Sequence, residues 1–162
     1  RYLQHENDPA DPGYRKFLDP LVELILAQSG REILDFGCGA GAPIKNWLDP
    51  LGFTVRLYDP YFFPQPEALE RIYDFVAASE VAEHLQDPAK EFARLRALLK
   101  PGGRLGVMTE LCDLEGDFGG WYYRRDPTHV AFYARETLHW ISRSYLFKDL
   151  RIHSSRLAEF FG

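Results

Sequence analysis

A chain of 162 residues, 46% hydrophobic and 27% charged, is long enough for one domain with a sizeable core and too apolar to be disordered. A formal net charge of -5 argues against a general nucleic-acid binder and leaves only a local basic patch for that role. No apolar run is long enough to cross a bilayer, no stretch reads as a signal peptide, and two cysteines, Cys38 and Cys112, make no disulfide framework. The expected compartment is therefore the reducing cytoplasm. Arg1 stands where an initiator methionine would, so further residues or domains are expected before it.

Residues 1–13 are polar, with Pro9, Pro12 and Gly13, and read as an irregular arm. From Tyr14 to Gln28, Phe17, Leu18, Leu21, Leu24 and Ile25 recur at helical spacing. Pro20 is expected to start a second helix or kink this one, and Gly30 to close it. Residues 31–36 read as a strand, followed by a glycine turn and a helix from about Ala42 to Leu51 with Pro43 in its first turn. Phe53 to Tyr58 is a second strand, ending on Asp59. The stretch from Pro60 to Pro66 is rigid and aromatic, and before Asp74 there is room only for a short helix near Glu67–Ile72.

Tyr73 to Ser79 is apolar enough for a strand buried on both faces. Asp87 caps a helix over Pro88–Leu99, with Phe92, Leu95, Leu98 and Leu99 on its apolar side. Lys100 to Gly103 reads as a stop and turn, and Arg104 to Thr109 as the next strand. Leu111 to Gly120 is a loop, and Trp121 to Tyr133 is dense in aromatic and hydrogen-bonding groups. Arg135 to Tyr145 is a helix with Leu138 and Ile141 inward; Phe147 to Phe161 supplies one or two final strands, truncated or fused. Strands alternating with helices predict an α/β, doubly wound fold with a mostly parallel sheet.

The stretch Asp35-Phe36-Gly37-Cys38-Gly39-Ala40-Gly41 follows an apolar strand. Glycines without a Cβ let the backbone approach a ligand closely, and such turns at the carboxyl ends of parallel strands bind nucleotides. Gly37, Gly39 and Ala42 also satisfy the dinucleotide pattern Gly-x-Gly-x-x-Ala. Asp35 weighs against that use, because a carboxylate beside a pyrophosphate repels it, whereas a cofactor with an ammonium and a sulfonium is attracted. Asp59 falls about 20 residues beyond the turn, the spacing of an acid that accepts hydrogen bonds from ribose hydroxyls.

The string Asp-x-Gly-x-Gly-x-Gly after an apolar strand resembles motif I of the class I S-adenosylmethionine-dependent methyltransferases. The leucine-rich helix, Lys100-Pro101-Gly102-Gly103 and the apolar strand after it match the same family, and the resemblance covers roughly residues 14–155. It implies a single methyltransferase domain over 1–162, with an arm at 1–13, a lid helix at 14–29 and a Rossmann-like core at 30–162, its seven-stranded type of sheet reduced around strand 3. It implies S-adenosyl-L-methionine as cofactor and S-adenosyl-L-homocysteine as product. Asp35 would then hold the methionine moiety through water, Gly37, Gly39 and Gly41 would admit the cofactor, and Asp59 would hold the ribose. Ser79 at the end of the third strand joins this set. The family's usual acid for the adenine amino group is missing, and Tyr61 and Phe62 are candidates to pack on the adenine face instead. Tyr2, His5 and Tyr14 are candidates to touch the ligand from the N-terminal lid.

Methyl transfer asks little of a protein beyond alignment, plus a general base when the acceptor is a hydroxyl or protonated amine. Candidates must lie at the strand ends beside the glycine turn, which selects Ser79, Glu80, Glu83, His84, Glu110 and the 121–133 segment. Asp126-Pro127-Thr128-His129-Val130 resembles a segment of quinone-type methyltransferases in which a histidine faces the acceptor, so His129 leads as general base, with Glu80 and His84 beside it. Tyr122, Tyr123, Arg125 and Tyr133 would shape the pocket. On one turn of helix Glu80 would neighbour Glu83 and His84. With His129, these would suit a divalent metal, as in the small-RNA 3′-end 2′-O-methyltransferases that the arrangement resembles. A structural or substrate-facing His84 without metal is the preferred reading.

The acceptors implied are, in order of preference, a small molecule through O or N, a protein, and an RNA end. No membrane partner is expected, and oligomeric state is open. Two alternatives stand beside the enzyme: a non-catalytic S-adenosylmethionine-binding module and an NAD-dependent reductase. The lack of a second, substrate-binding domain counts against the reductase.

Overall fold

The computed structural model describes residues 11–162. Helix α1 spans Pro12–Leu26; Asp11 caps it by accepting the Gly13 N–H at 2.8 Å, and Pro12 sits where a missing N–H costs nothing. Pro20 neither breaks nor restarts it, and removes one intrahelical bond from a continuous helix. The helix thus begins two residues before the expected start at Tyr14, and it ends before Gly30. Tyr2 and His5 lie outside the described residues.

Strand β1 (Glu32–Phe36) leads through the glycine turn into α2 (Pro43–Leu48), which continues as one 3₁₀ turn over Asp49–Leu51 instead of the expected full helix. Strand β2 (Thr54–Tyr58) follows, then a 3₁₀ turn over Pro66–Glu70 in place of the short α-helix. Strand β3 (Tyr73–Ser79), helix α3 (Pro88–Ala97) and strand β4 (Leu99–Met108) come next. Helix α4 (Arg135–Ser144) and strands β5 (Asp149–Ile152) and β6 (Leu157–Phe161) close the chain.

The sheet order is β2-β1-β3-β4-β6-β5. β2, β1, β3 and β4 run parallel, and β6 enters antiparallel between β4 and β5. Among the described residues no strand lies between β2 and β3 in sequence, so the expected loss of strand 3 is what leaves β2 at the edge. The final segment is two distinct strands in a short hairpin, not one fused strand. The Lys100–Gly103 turn lies inside β4: Leu99 pairs with Tyr73, the register shifts, and Arg104 pairs with Phe75. Gly102 takes φ +78 there, the left-handed region that glycine enters without strain.

Successive residues of the buried strands feed opposite cores. Ile33, Phe75 and Met108 pack with Leu18, Leu21 and Ile25 of α1 and Ile44 and Leu48 of α2. Leu34, Val76, Val107 and Phe160 pack with Phe92 and Leu95 of α3 and Leu138 and Ile141 of α4. Each fully buried Leu or Phe contributes roughly 2 kcal/mol. Gly106 lets α1 lie close on the sheet: a Cβ there would stand 2.5 Å from Leu21 Cδ1. Asp74 ties the strands at their amino ends, accepting the N–H groups of Arg31 at 3.1 Å and Glu32 at 2.9 Å and the Lys100 ammonium at 3.0 Å. All four parallel strands therefore end on the same side, where the loops carry the candidate residues.

Candidate active site

The glycine turn is held from below and from the side. Gly37 and Gly39 take φ +74 and +62, and Ala42, before Pro43, takes +40. The Gly37 N–H donates to the Tyr58 carbonyl at 2.7 Å. A Cβ on Gly37 would stand 2.3 Å from Val81 Cγ2, so the turn is packed against the loop after β3. Asp59 is buried with both oxygens engaged: Oδ2 accepts the Gly39 N–H at 3.1 Å, and Oδ1 those of Tyr61 at 2.8 Å and Phe62 at 3.1 Å. Asp35 is equally buried, yet its Oδ2 has no hydrogen-bond partner. Burial, and then the charge of Asp59, push its carboxyl up to about 7.

Helix α1 reaches this pocket. The Tyr14 hydroxyl is pushed up to about 12 by burial and then by the charges of Asp35 and Glu80. Gly41 sits half-buried at the rim. Tyr61 is 70% exposed, Phe62 is half-buried, and Ser79 Oγ lies 3.9 Å from Met108 Sδ.

A second group gathers beyond β3 and β4. Glu80 takes the left-handed region with φ +52, and the 3₁₀ turn starts only at Ala82. The expected helical turn joining Glu80, Glu83 and His84 therefore does not form, and the two glutamates diverge. Glu80 Oε2 accepts the Tyr123 hydroxyl at 3.2 Å, and both its oxygens lie 3.5 Å from Arg156 Nη1. Burial, then the charge of Glu83, push the Glu80 carboxyl up to about 7 against the pull of Arg156. Arg156 Nη2 also donates to the Tyr122 hydroxyl at 2.8 Å and pairs with Glu110.

Glu83 turns inward and is fully buried. Its Oε2 accepts the Thr109 hydroxyl at 2.8 Å, while Oε1 has no hydrogen-bond partner. His84 Nδ1 donates to the Thr128 carbonyl at 2.9 Å, and His129 Nδ1 to the Tyr123 carbonyl at 2.7 Å. A carbonyl can only accept, so each Nδ1 carries the proton and, in the neutral ring, each Nε2 the lone pair. The two rings meet edge to face at 4.8 Å, and ligand atoms of Glu83, His84 and His129 all lie within 4.8 Å of one another. Of the expected cluster, Glu80 is thus the member left out and Glu83 is the centre.

Beside Glu110, a cavity of about 610 Å³ is walled by Trp121, Tyr122, Phe118 and Ser155 among others. It is large enough for a drug-sized molecule. Of the segment expected to shape a pocket, Tyr122 lines it; Tyr123 and Tyr133 are buried behind, and Arg125 is exposed. Sequence reasoning missed Arg156 and Thr109. Neither stands in a motif, and only the antiparallel pairing of β6 with β4 brings the start of β6 to this mouth, where the Thr109 N–H donates to the Arg156 carbonyl at 3.0 Å.

Among the described residues no helix is long and apolar enough to cross a membrane. A ubiquinone biosynthesis O-methyltransferase from Aeromonas salmonicida is 31% identical over 104 residues, covering 49% of this chain and 43% of that protein. The chain thus spans less than half the length of that curated relative. Among solved structures, 1,6-didemethyltoxoflavin-N1-methyltransferase from Burkholderia thailandensis, with 1,6-didemethyltoxoflavin and S-adenosylhomocysteine bound, superposes with a TM-score of 0.61 at 15% identity, covering 90% of this chain and 76% of that one. A SAM-dependent methyltransferase from Archaeoglobus fulgidus superposes with a TM-score of 0.62 at 20% identity, covering 85% of this chain and 71% of that one. Residues 10–151 match the methyltransferase domain family, and the chain, with its doubly wound sheet and glycine turn, belongs to that family and has the class I methyltransferase fold.

Proposed function

We propose that this chain transfers the methyl group of S-adenosyl-L-methionine to an oxygen or nitrogen of a small-molecule acceptor. The observation that carries the reading is the partnerless Asp35 Oδ2, buried beside a turn in which Gly37 has no room for a Cβ. Two carboxylates side by side, Asp35 and Asp59, suit a ligand with a cation and hydroxyl groups. A pyrophosphate at the same turn would meet both acids, which disfavours the NAD-dependent alternative.

Bound S-adenosylmethionine supplies a methyl group already activated by its sulfonium. Asp35 holds the cationic methionine end, Gly37, Gly39 and Gly41 admit the cofactor, and Asp59 and Ser79 take its hydroxyl groups. Tyr61 flanks the adenine side, and α1 closes over the pocket with Tyr14 as its inner face. Glu80, with its raised carboxyl, takes the acceptor's proton. His129 and His84, each with a fixed Nδ1–H, present Nε2 as the further bases of the site. The cavity beside Glu110 receives the acceptor, and both cysteines, Cys38 and Cys112, are free thiols that fit a cytoplasmic setting.

A second reading has its own observation. Glu83 Oε1, buried without a hydrogen-bond partner and 4.0 Å from His84 Nε2, beside two imidazoles with carbonyl-anchored Nδ1–H groups, fits a divalent cation, with Glu83, His84 and His129 as its protein ligands. Such an ion would lower the pKa of an acceptor hydroxyl, and His129 would be a ligand in place of a base. Isothermal titration with zinc and magnesium, wild type against His129→Ala, separates the two.

The first test is calorimetric titration of the purified protein with S-adenosylhomocysteine, with NAD as control. Micromolar binding of the first alone supports the reading; binding of NAD alone overturns it.

A further inference from the structure

Arg156 stands where three parts of the chain meet. Its guanidinium lies 5.5 Å from the Phe17 ring of α1 and 5.8 Å from the Tyr123 ring. It donates to the Tyr122 hydroxyl on the cavity wall, and it is shared between two carboxylates on unequal terms. Contact with Glu80 is loose, 3.5 Å to each oxygen; contact with Glu110 is direct. The side chain is only 27% exposed. Among the described residues, Arg156 is the cation that Glu80 and Glu110 have in common.

The cofactor changes charge during turnover. It enters with an ammonium and a sulfonium and leaves as a thioether with the ammonium alone. β3 lies beside β1, and Val81, next to Glu80, packs on the Gly37 turn that follows Asp35, so these two acids flank the place that the cofactor's methionine end takes on the reading proposed above. While the sulfonium is present Glu80 has a second counter-ion, and a guanidinium beside it is repelled. Arg156 then has Glu110 and Tyr122 to retain it. Once the methyl has left, Arg156 is again the counter-ion of Glu80.

We propose that Arg156 is a positioning residue that reads the charge of the cofactor. It leans on Glu80 when the site holds the neutral thioether and withdraws to Glu110 and Tyr122 when it holds the sulfonium, passing the methylation state of the cofactor to the wall of the acceptor cavity. The inference rests on the cofactor assignment of the preceding subsection.

The experiment measures the affinities of the protein for S-adenosylmethionine and S-adenosylhomocysteine in parallel, by calorimetry at low salt. Removing the charge with Arg156→Gln relieves the repulsion felt by the sulfonium alone. The affinity ratio moves about tenfold toward S-adenosylmethionine, and rising salt erodes the shift. Glu110→Gln removes the place to which Arg156 withdraws, so the ratio moves the other way. Arg156→Lys keeps the charge and stays near wild type. A ratio unchanged in both neutralising variants, or two affinities that fall equally in Arg156→Gln while its melting curve stays cooperative, overturns the inference. If Arg156→Gln does not fold, the sign of the Glu110→Gln shift decides alone. Failure of the wild type to bind either ligand overturns the cofactor assignment instead, so the two failures are distinct.

Discussion

Asp35 and Asp59 are both buried beside the glycine turn on opposite terms: both oxygens of Asp59 accept backbone N–H groups, and Asp35 Oδ2 has no hydrogen-bond partner. Burial, and then the charge of Asp59, therefore raise the Asp35 carboxyl from 3.8 to about 7.

A carboxyl raised on folding binds its proton more tightly in the native state, so the native state gains stability as pH falls. The gain is complete below the unfolded value of 3.8 and is lost as pH rises to about 7. Asp35→Asn flattens this dependence and raises the melting temperature at pH 8. A cationic ligand on Asp35 draws the carboxyl back down, so cofactor binding near pH 6.5 releases a proton. Calorimetry in buffers of different ionisation enthalpy reads that proton; Asp35→Asn shows none and loses most of its affinity.

Gly37→Ala meets two obstacles at once, a φ of +74 and a contact of 2.3 Å with Val81 Cγ2. The expected cost is about 2–4 kcal/mol by chemical denaturation, with cofactor binding lost. The double variant Gly37→Ala/Val81→Ala recovers the steric part and leaves the backbone strain.

Asp74→Ala leaves the N–H groups of Arg31 and Glu32 and the Lys100 ammonium without their acceptor. A loss of about 2–3 kcal/mol is expected in urea unfolding. Burial raises the Asp74 carboxyl, but the Glu32 N–H, Lys100 and the Arg31 N–H outweigh it, and the net shift is downward. The stability it gives is present above the unfolded value and disappears as pH falls through the lowered one. Because Asp74 lies at the opposite ends of the strands from the glycine turn, affinity for S-adenosylhomocysteine stays within about twofold of wild type in the folded fraction.

Glu80→Gln keeps the shape of the side chain and removes the base. Methyl transfer to a small-molecule acceptor is expected to fall about 100-fold, while S-adenosylhomocysteine still binds. The Tyr123 hydroxyl retains an acceptor in the amide oxygen, so the melting temperature moves little.

The fold was legible because its signals are local. A strand running into three glycines and Pro43, a capped helix after Asp87, and the short interval between Asp59 and Asp74 each stated a piece of the topology, including the missing third strand. The cofactor-side acids were legible through spacing. The other side was not. Glu80, Glu83 and His84 look like one helical face in sequence, but a left-handed Glu80 breaks that face. Thr109 and Arg156 enter through strand pairing, which no local spacing encodes. The in-strand Lys100–Gly103 bulge escaped for a similar reason: proline and glycine normally stop a strand, and here the register shift absorbs them.

The position of β6 has a consequence for synthesis. Of the six described strands it is made after the other five, yet it lies inside the sheet, flanked by β4 and β5. Until it docks, β4 presents an open edge over Arg104–Met108, with Leu105 and Val107 on it, and the mouth of the pocket lacks Arg156. A nascent chain stalled before Leu157 is therefore both inactive and prone to edge-to-edge association. Quality control acting on such chains would recognise the bare β4 edge, which is hidden only when the β5–β6 hairpin is in place.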